Sequence, residues 1–299
     1  MSALAGFIMR GRSSAILVIS ALTILSWLVS VASLLAAAAL ALPTLRRGAR
    51  EGALLLAGAL PVVALAGQLI MGSAVQAAGF SLIMWIPAYL VAIVLRESQS
   101  LPSAILASMA MGLLVVIGFF AVVDEPAAFW STQIQTVLRP ILEQQTVGDG
   151  HEIITQTLAT FSRYATGAIS AGSVISVLMS LLIARWWQSS LYNPGGFGTE
   201  FRALRLPSVV GGFFLATLLV VTIAGGNVGV FAANLLLPAF MGLLLQGFSI
   251  AHALSHDRSS GKFWLTGLYI GIMFFAPIFL LVALMGLTDP WIDWRTRFS

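Results

Sequence analysis

The sequence predicts an all-α, polytopic membrane protein built as one integral domain over 1–299. Three observations carry this. Hydrophobic residues make up 59% of the 299 positions and charged residues only 9%. Mean hydropathy is +0.98. The apolar runs reach about 20 residues, the length that crosses about 30 Å of hydrocarbon at about 1.5 Å per residue. Soluble domains carry about 25% charge, and no soluble fold hides this much apolar surface. The runs lack the two-residue alternation of an outer-membrane barrel. Helices therefore remain as the spanning element, because every backbone polar group in lipid needs a partner within the segment.

The first apolar run, 14–43, would reach about 45 Å as one straight helix. It is either one tilted span or a hairpin of two short helices turning near Ser30–Ser33. Further spans are expected at about 51–72, 75–95, 101–123, 164–187, 207–225, 229–252 and 263–287. The total is eight with a single first span and nine with a hairpin. Arg10 and Arg12, before the first run, read as the charged flank of a retained signal-anchor.

Basic residues set the orientation. The loop holding Arg46, Arg47 and Arg50 is expected inside. The loops at Arg96, at Arg185 with Arg202 and Arg205, and at Arg258 with Lys262 then fall inside too. A hairpin in the first run also keeps Arg10 and Arg12 inside, so the rule favours it. Counting forward, the segment 124–163 and the C-terminal tail are expected outside. In 124–163, Phe129, Trp130, Ile134, Val137, Leu138, Ile141 and Leu142 recur at helical spacing. Gly148-Asp149-Gly150 makes a turn, and Ile153, Ile154, Leu158 and Phe161 begin a second stretch. Two amphipathic helices at the outer interface are expected, as a surface rest or as a lid over an outward-facing cavity.

Chemistry is sparse. With no cysteine, disulfides, thiol catalysis and cysteine-bound metals are excluded. The net charge of +4 flanks spans and is no sign of nucleic-acid binding. All eleven carboxylates fall in expected loops or tails, which speaks against a carboxylate-driven ion-coupled pump. No P-loop, dinucleotide fingerprint or Ser-His-Asp set occurs. His252 and His256 stand four apart, the spacing of a metal pair. They sit at a helix C-terminus, where the dipole also favours a cationic imidazole. No metal or cofactor is expected and the chain is read as non-enzymatic. An intramembrane enzyme acting on lipid would rest on His252 and His256 alone.

Within spans the polar groups are mild. Thr166, Ser170, Ser173, Ser176 and Ser180 follow helical steps, as hydroxyls that pack helices together or line a cavity. Gly267 with Gly271, and Gly225 with Gly229, form GxxxG patterns; Ala32, Ala36 and Ala39 make a similar stripe. The ligand-binding candidates are Gln76, Trp85, Tyr89, Asn227 and Asn234, with Gln68 beside them.

The loop 185–206 stands apart. Arg185, Trp186 and Trp187 close a span at the level indole rings prefer. Asn193-Pro194-Gly195-Gly196 breaks the helix. Phe197, Phe201 and Leu204 then repeat at helical spacing, with Glu200, Arg202 and Arg205 elsewhere. This is a short helix along the inner surface, an interface anchor or a docking surface for a partner. The docking candidates are Arg185, Trp186, Trp187, Gln188, Tyr192, Asn193, Pro194, Gly195, Gly196, Phe197, Glu200 and Arg205.

This loop, with Leu191 and Phe201, resembles that of the YybS-like family of predicted bacterial membrane proteins, a family of unknown function. Basic "LRRGAR" after a long apolar run, and later spans following the loop, fit the same layout. The resemblance implies an inner-membrane, multi-pass protein remotely similar to the S components of energy-coupling-factor transporters. Such proteins bind a small molecule near the outer face and dock, through small residues on a first helix, on a membrane subunit driven by ATPases. Ala32 and Ala36 match that docking pattern. The extra spans and the outer segment depart from it. The expected function is transporter-like binding of a small, uncharged or amphipathic molecule, with energy supplied by a partner. The alternative is a scaffold that recruits a cytoplasmic protein through 185–206.

Overall fold

The computed structural model describes residues 2–142, 150–256 and 258–298, with side chains at 3–137, 156–256 and 258–298. The expected turn at Gly148-Asp149-Gly150 and the side chains of Leu138, Ile141, Leu142, His151, Ile153 and Ile154 lie outside that set. The described residues form fourteen helices and no strand.

The first apolar run is a hairpin. A short helix α1 (Ser2–Met9) precedes α2 (Arg12–Ser26) and α3 (Ala32–Arg47). Trp27–Val31 turns the chain, with Val29 N–H on the Leu25 carbonyl at 2.9 Å and Ser33 Oγ on the Ser30 carbonyl at 2.7 Å. Both ends return to one side: the Arg47 guanidinium donates to the Met9 carbonyl at 2.6 Å, and Arg12 pairs with Glu51 at 2.8 Å. Helix α3 lies at the centre of the N-terminal half, against α2, α4, α5 and α8. Ala36 to Leu42 are fully buried there. Methyl-sized side chains let four helices approach one axis, which a leucine-rich helix could not do.

Next come α4 (Ala49–Met71), α5 (Ala74–Ser98) and α6 (Leu101–Val122). Ser73 caps α5 by accepting from Gln76 N–H at 3.3 Å, and Ser100 caps α6 by accepting from Ser103 N–H at 3.3 Å. The segment 124–163 departs from its expected form. Helix α7 (Pro126–Leu142) is the first amphipathic stretch, but the second is no separate helix. It is the start of α8 (Gly150–Tyr192), 43 residues long. At about 1.5 Å per residue α8 reaches about 65 Å, twice a bilayer core. Its N-terminal turns therefore stand beyond the bundle, braced by α7. Trp130 Nε1 donates to Thr166 Oγ1 at 2.8 Å, and Phe119 stacks on Trp130 at 5.4 Å.

The C-terminal half holds α9 (Gly196–Arg202), α10 (Ser208–Ile223), α11 (Gly226–His256), α12 (Gly261–Phe274), α13 (Pro277–Ile292) and α14 (Trp294–Phe298). The expected single span 263–287 is two helices broken at Phe275–Ala276, with Pro277 opening the second. The C-terminal tail accordingly returns to the end of the bundle that holds loop 185–206, not to the opposite end as expected. Arg205 pairs with Asp293 at 2.7 Å, and Arg295 donates to the Leu204 carbonyl at 2.7 Å. This correction also removes a charge conflict. Of the 15 Lys and Arg residues, only Arg139 on α7 and Arg163 on α8 belong to the far end. The other end is called the basic end below.

Five helices are long and apolar enough to cross a membrane: α4, α5, α6, α8 from Gln156, and α11. Shorter apolar helices are α2, α10 and α13. By length and composition the count of eight or nine spans is thus not reached. Helices α2 and α13 are short because each is one arm of a hairpin, whereas α10 is a single 16-residue helix in the place of the expected span 207–225.

The glycine contacts also differ from expectation. Gly225 and Gly267 meet nothing within 4 Å. Gly271 faces only Ile278, and Gly229 only the Ala224 and Val221 backbone at the end of α10. The close crossing is instead between α11 and α13, where a Cβ on Gly247 would strike the Val282 carbonyl and one on Gly286 the Leu243 carbonyl.

Candidate binding site

At the far end, a cavity of about 970 Å³ opens between the ends of α6, α7, α8 and α11. Its apolar wall is Ile117, Phe120, Val230 and Phe231; its rim carries Asp124, Glu125, Arg163 and Asn227. Phe120 and Phe231 rest on each other at 5.1 Å. Both signs of charge over an aromatic floor suit an amphipathic molecule with a polar head.

Asn234 supports this cavity from behind. It is fully buried. Its Oδ1 accepts from Gly167 N–H at 2.7 Å, and its Nδ2 donates to the Arg163 carbonyl at 2.9 Å and the Val230 carbonyl at 2.8 Å. Gly167 N–H and the Arg163 carbonyl are the two ends of one helical i→i−4 step. The amide thus bridges that step and fixes the backbone from which Arg163 projects. Gly167 lets α11 come this close: a Cβ there would lie 2.5 Å from the Asn234 carbonyl oxygen.

The five ligand candidates do not share one site. Asn227 lines the far-end cavity and Asn234 sits behind it. Gln76 is exposed at the start of α5. Trp85 is buried in the main core. Tyr89 lies towards the basic end, its hydroxyl donating to the Ala49 carbonyl at 2.9 Å. Gln68 accepts from Ala74 N–H at 3.2 Å. Of the hydroxyl stripe, Thr166 and Ser170 make helix contacts, Thr166 accepting from Trp130 on α7 at 2.8 Å and Ser170 donating to the Gly112 carbonyl at 2.7 Å; Ser173 and Ser180 bond their own helix.

At the basic end, loop 185–206 is folded into the bundle. Arg185 donates to Glu200 at 2.7 Å and to Gln188 at 2.6 Å. Trp187 is buried in the core, while Trp186 remains exposed. Tyr192 lies under the Arg46 guanidinium at 4.5 Å. The Asn193-Pro194-Gly195-Gly196 turn closes on Ser189, whose Oγ donates to the Asn193 carbonyl at 2.6 Å and accepts from Phe197 N–H at 3.0 Å. Gly195 takes φ +86°, a conformation that favours glycine. Arg205 holds the Asp293 carboxyl below its ordinary range by direct hydrogen bonding.

Beneath the loop runs a polar network that the sequence reading missed. Gln246 Oε1 accepts from Leu206 N–H at 2.8 Å, and its Nε2 donates to Asp289 at 3.0 Å. Arg295 donates to the same Asp289 oxygen at 2.8 Å and to Ser249 Oγ at 3.0 Å; Ser249 donates to the Phe201 carbonyl at 2.7 Å. Asp289 is only 2% exposed. It lies in the last turn of α13, not in a solvated tail. Gln246 carries the same signal as Asn234, an amide within an apolar run.

A second cavity of about 1130 Å³ lies beside this network, between α8, α9, α11 and the α12–α13 hairpin. His252 and His256 both line it. His252 Nε2 is 2.8 Å from the Tyr269 hydroxyl. Among the described residues no group of three His, Cys, Asp or Glu side chains is placed to hold a metal.

No curated protein and no solved structure matches the chain. A family of unknown function does match, over residues 14–290, a range that takes in α3, both cavities and loop 185–206. The chain therefore belongs to the family described as "Predicted membrane protein (DUF2232)".

Proposed function

We propose that this protein is a non-enzymatic, transporter-like membrane protein that binds a small amphipathic molecule in the far-end cavity. The observation that carries the reading is the aromatic floor of Phe120 and Phe231 beneath a rim of Asp124, Glu125 and Arg163. The buried Asn234 holds the backbone of Arg163 in place. Preorganising a charged group in this way lowers the cost of ordering it on binding. The sequence carries no P-loop, so movement of the ligand would draw on a separate membrane subunit with ATPases. The S-component resemblance supports the same division of labour. Its small-residue stripe, however, has Ala36 buried inside the bundle, so docking through that face would need other residues.

The scaffold reading through 185–206 is weaker. Trp187 is buried and Arg185 and Glu200 satisfy each other. A partner would find Trp186 and Tyr192 but not the whole candidate set.

The test is a mild-detergent purification of the tagged protein from its native membrane, with co-purifying small molecules and proteins identified by mass spectrometry. A small molecule retained by the wild type and lost in Phe231→Ala and Arg163→Gln is the expected result. Equal retention in all three proteins, or retention of cytoplasmic proteins alone, overturns it.

A further inference from the structure

The basic-end cavity has the dimensions and polarity of a phospholipid site. Its lining along α8 runs from Ile175 to Ser190. That is about 22 Å at 1.5 Å per residue, one leaflet's hydrocarbon of about 15 Å plus a headgroup layer. The deep part is apolar: Ile175, Met179, Leu182, Leu244, Leu245 and Phe279. The end near loop 185–206 is polar, with Ser189, Ser190, Arg202 and His256. Trp186 and Tyr269 line the groove and stay 41% and 48% exposed.

Among the described residues its charge is one-sided. Glu200, the carboxylate on the same short helix as Arg202, is held by Arg185 at 2.7 Å. Arg202 has no ion pair among the described residues, and neither has His256. Helix α9 brings Phe197 and Phe201 to the groove, tilted 30° to each other at 6.0 Å, with Phe201 edge-on to His252 at 5.6 Å. The helix therefore lines the groove with two aromatic rings and a guanidinium that no carboxylate among the described residues neutralises. That pairing suits a chain-bearing ligand with an anionic head. A soluble anion would leave the apolar length of the groove empty, and a zwitterionic lipid would bring a second cation to Arg202.

We propose that this groove binds an anionic phospholipid of the leaflet at the basic end, with acyl chains along α8 and α11 and its phosphate at Arg202 and His256. The site is separate from the far-end cavity, and its test does not depend on that assignment.

Native mass spectrometry of the intact protein in detergent, given equimolar phosphatidylglycerol and phosphatidylcholine, reads the preference directly. The wild type is expected to retain phosphatidylglycerol. Each cation near a headgroup is worth about 1 kcal/mol, or about fivefold, so Arg202→Gln should reduce the preference about fivefold and Arg202→Gln with His256→Gln should abolish it. Arg50→Gln, an exposed cation outside the groove, should leave it intact. Ser190→Trp fills the mouth while keeping Arg202 and His256, and should lower retention of both lipids. Equal retention of the two lipids by the wild type overturns the proposal. So does a preference that survives the double substitution, a loss that Arg50→Gln reproduces, or full retention in Ser190→Trp.

Discussion

The Asn234 side chain spans one hydrogen-bonding step of a neighbouring helix, taking Gly167 N–H at 2.7 Å and giving to the Arg163 carbonyl at 2.9 Å. One buried amide thus does for α8 what the α8 backbone does elsewhere for itself. It also joins the two helices that frame the far-end cavity.

Asn234→Leu should therefore destabilise the fold and displace Arg163. Leaving buried polar partners unsatisfied costs about 1–3 kcal/mol. Gly167→Ala should cost a similar amount, about 1–3 kcal/mol, by overpacking against the Asn234 backbone. Thermal unfolding in detergent measures both. Unchanged midpoints would mean that the bridge contributes nothing to stability.

Asp289 and Arg295 form a second buried tie. Removing one partner of a buried pair costs about 3–5 kcal/mol, while removing both costs less than the sum. Asp289→Asn should free the C-terminal helix from the Leu204 carbonyl, detected as faster proteolysis of the tail. Adding Arg295→Gln to Asp289→Asn should recover part of the stability. Strictly additive losses would show that the two side chains are not coupled.

Glycines separate by position. Gly286→Ala drives a methyl into the Leu243 carbonyl and should part α11 from α13. Gly267→Ala meets no neighbour; in a helix interior it should be neutral or stabilising by up to about 1 kcal/mol. Comparable melting shifts in the two variants would contradict the observed crossing.

Single cysteines test the return of the C-terminus, and the chain has no native cysteine to interfere. Ser33→Cys reports the turn of the first hairpin, Ser98→Cys the basic end, and Thr296→Cys the tail. Impermeant maleimide should label Thr296→Cys and Ser98→Cys from one side of the membrane, and Ser33→Cys from the other. Labelling of Thr296→Cys together with Ser33→Cys would restore 263–287 as a single span.

Much of the fold is legible along the chain because hydropathy and charge are local. The helical membrane class follows from composition alone. The break in the first run shows in its excess length, and the basic residues at its ends already favour a hairpin. The second hairpin was less visible: 263–287 has the length of one span, and only Pro277 marks the break. Of the far-end cavity, Asn227 and Asn234 were marked by their polarity in an apolar run. Phe120, Phe231 and Arg163 were not, because nothing near each in sequence distinguishes a cavity wall from a lipid-facing side chain.

The sequence by itself determined that this is a helical membrane protein with its basic loops collected at one end; that the basic C-terminal tail joins them came from the structure. Length, hydropathy and flanking arginines suffice for the former, since each acts through the bilayer rather than through a partner residue. Only the tertiary structure decided which glycines are crossings, that Trp187 is core while Trp186 is surface, and that Asp289 is buried. These depend on neighbours far along the chain, such as Leu204 and Arg295, 91 residues apart. The alternation of polar and apolar residues cannot encode such a meeting; only helix packing brings the two together.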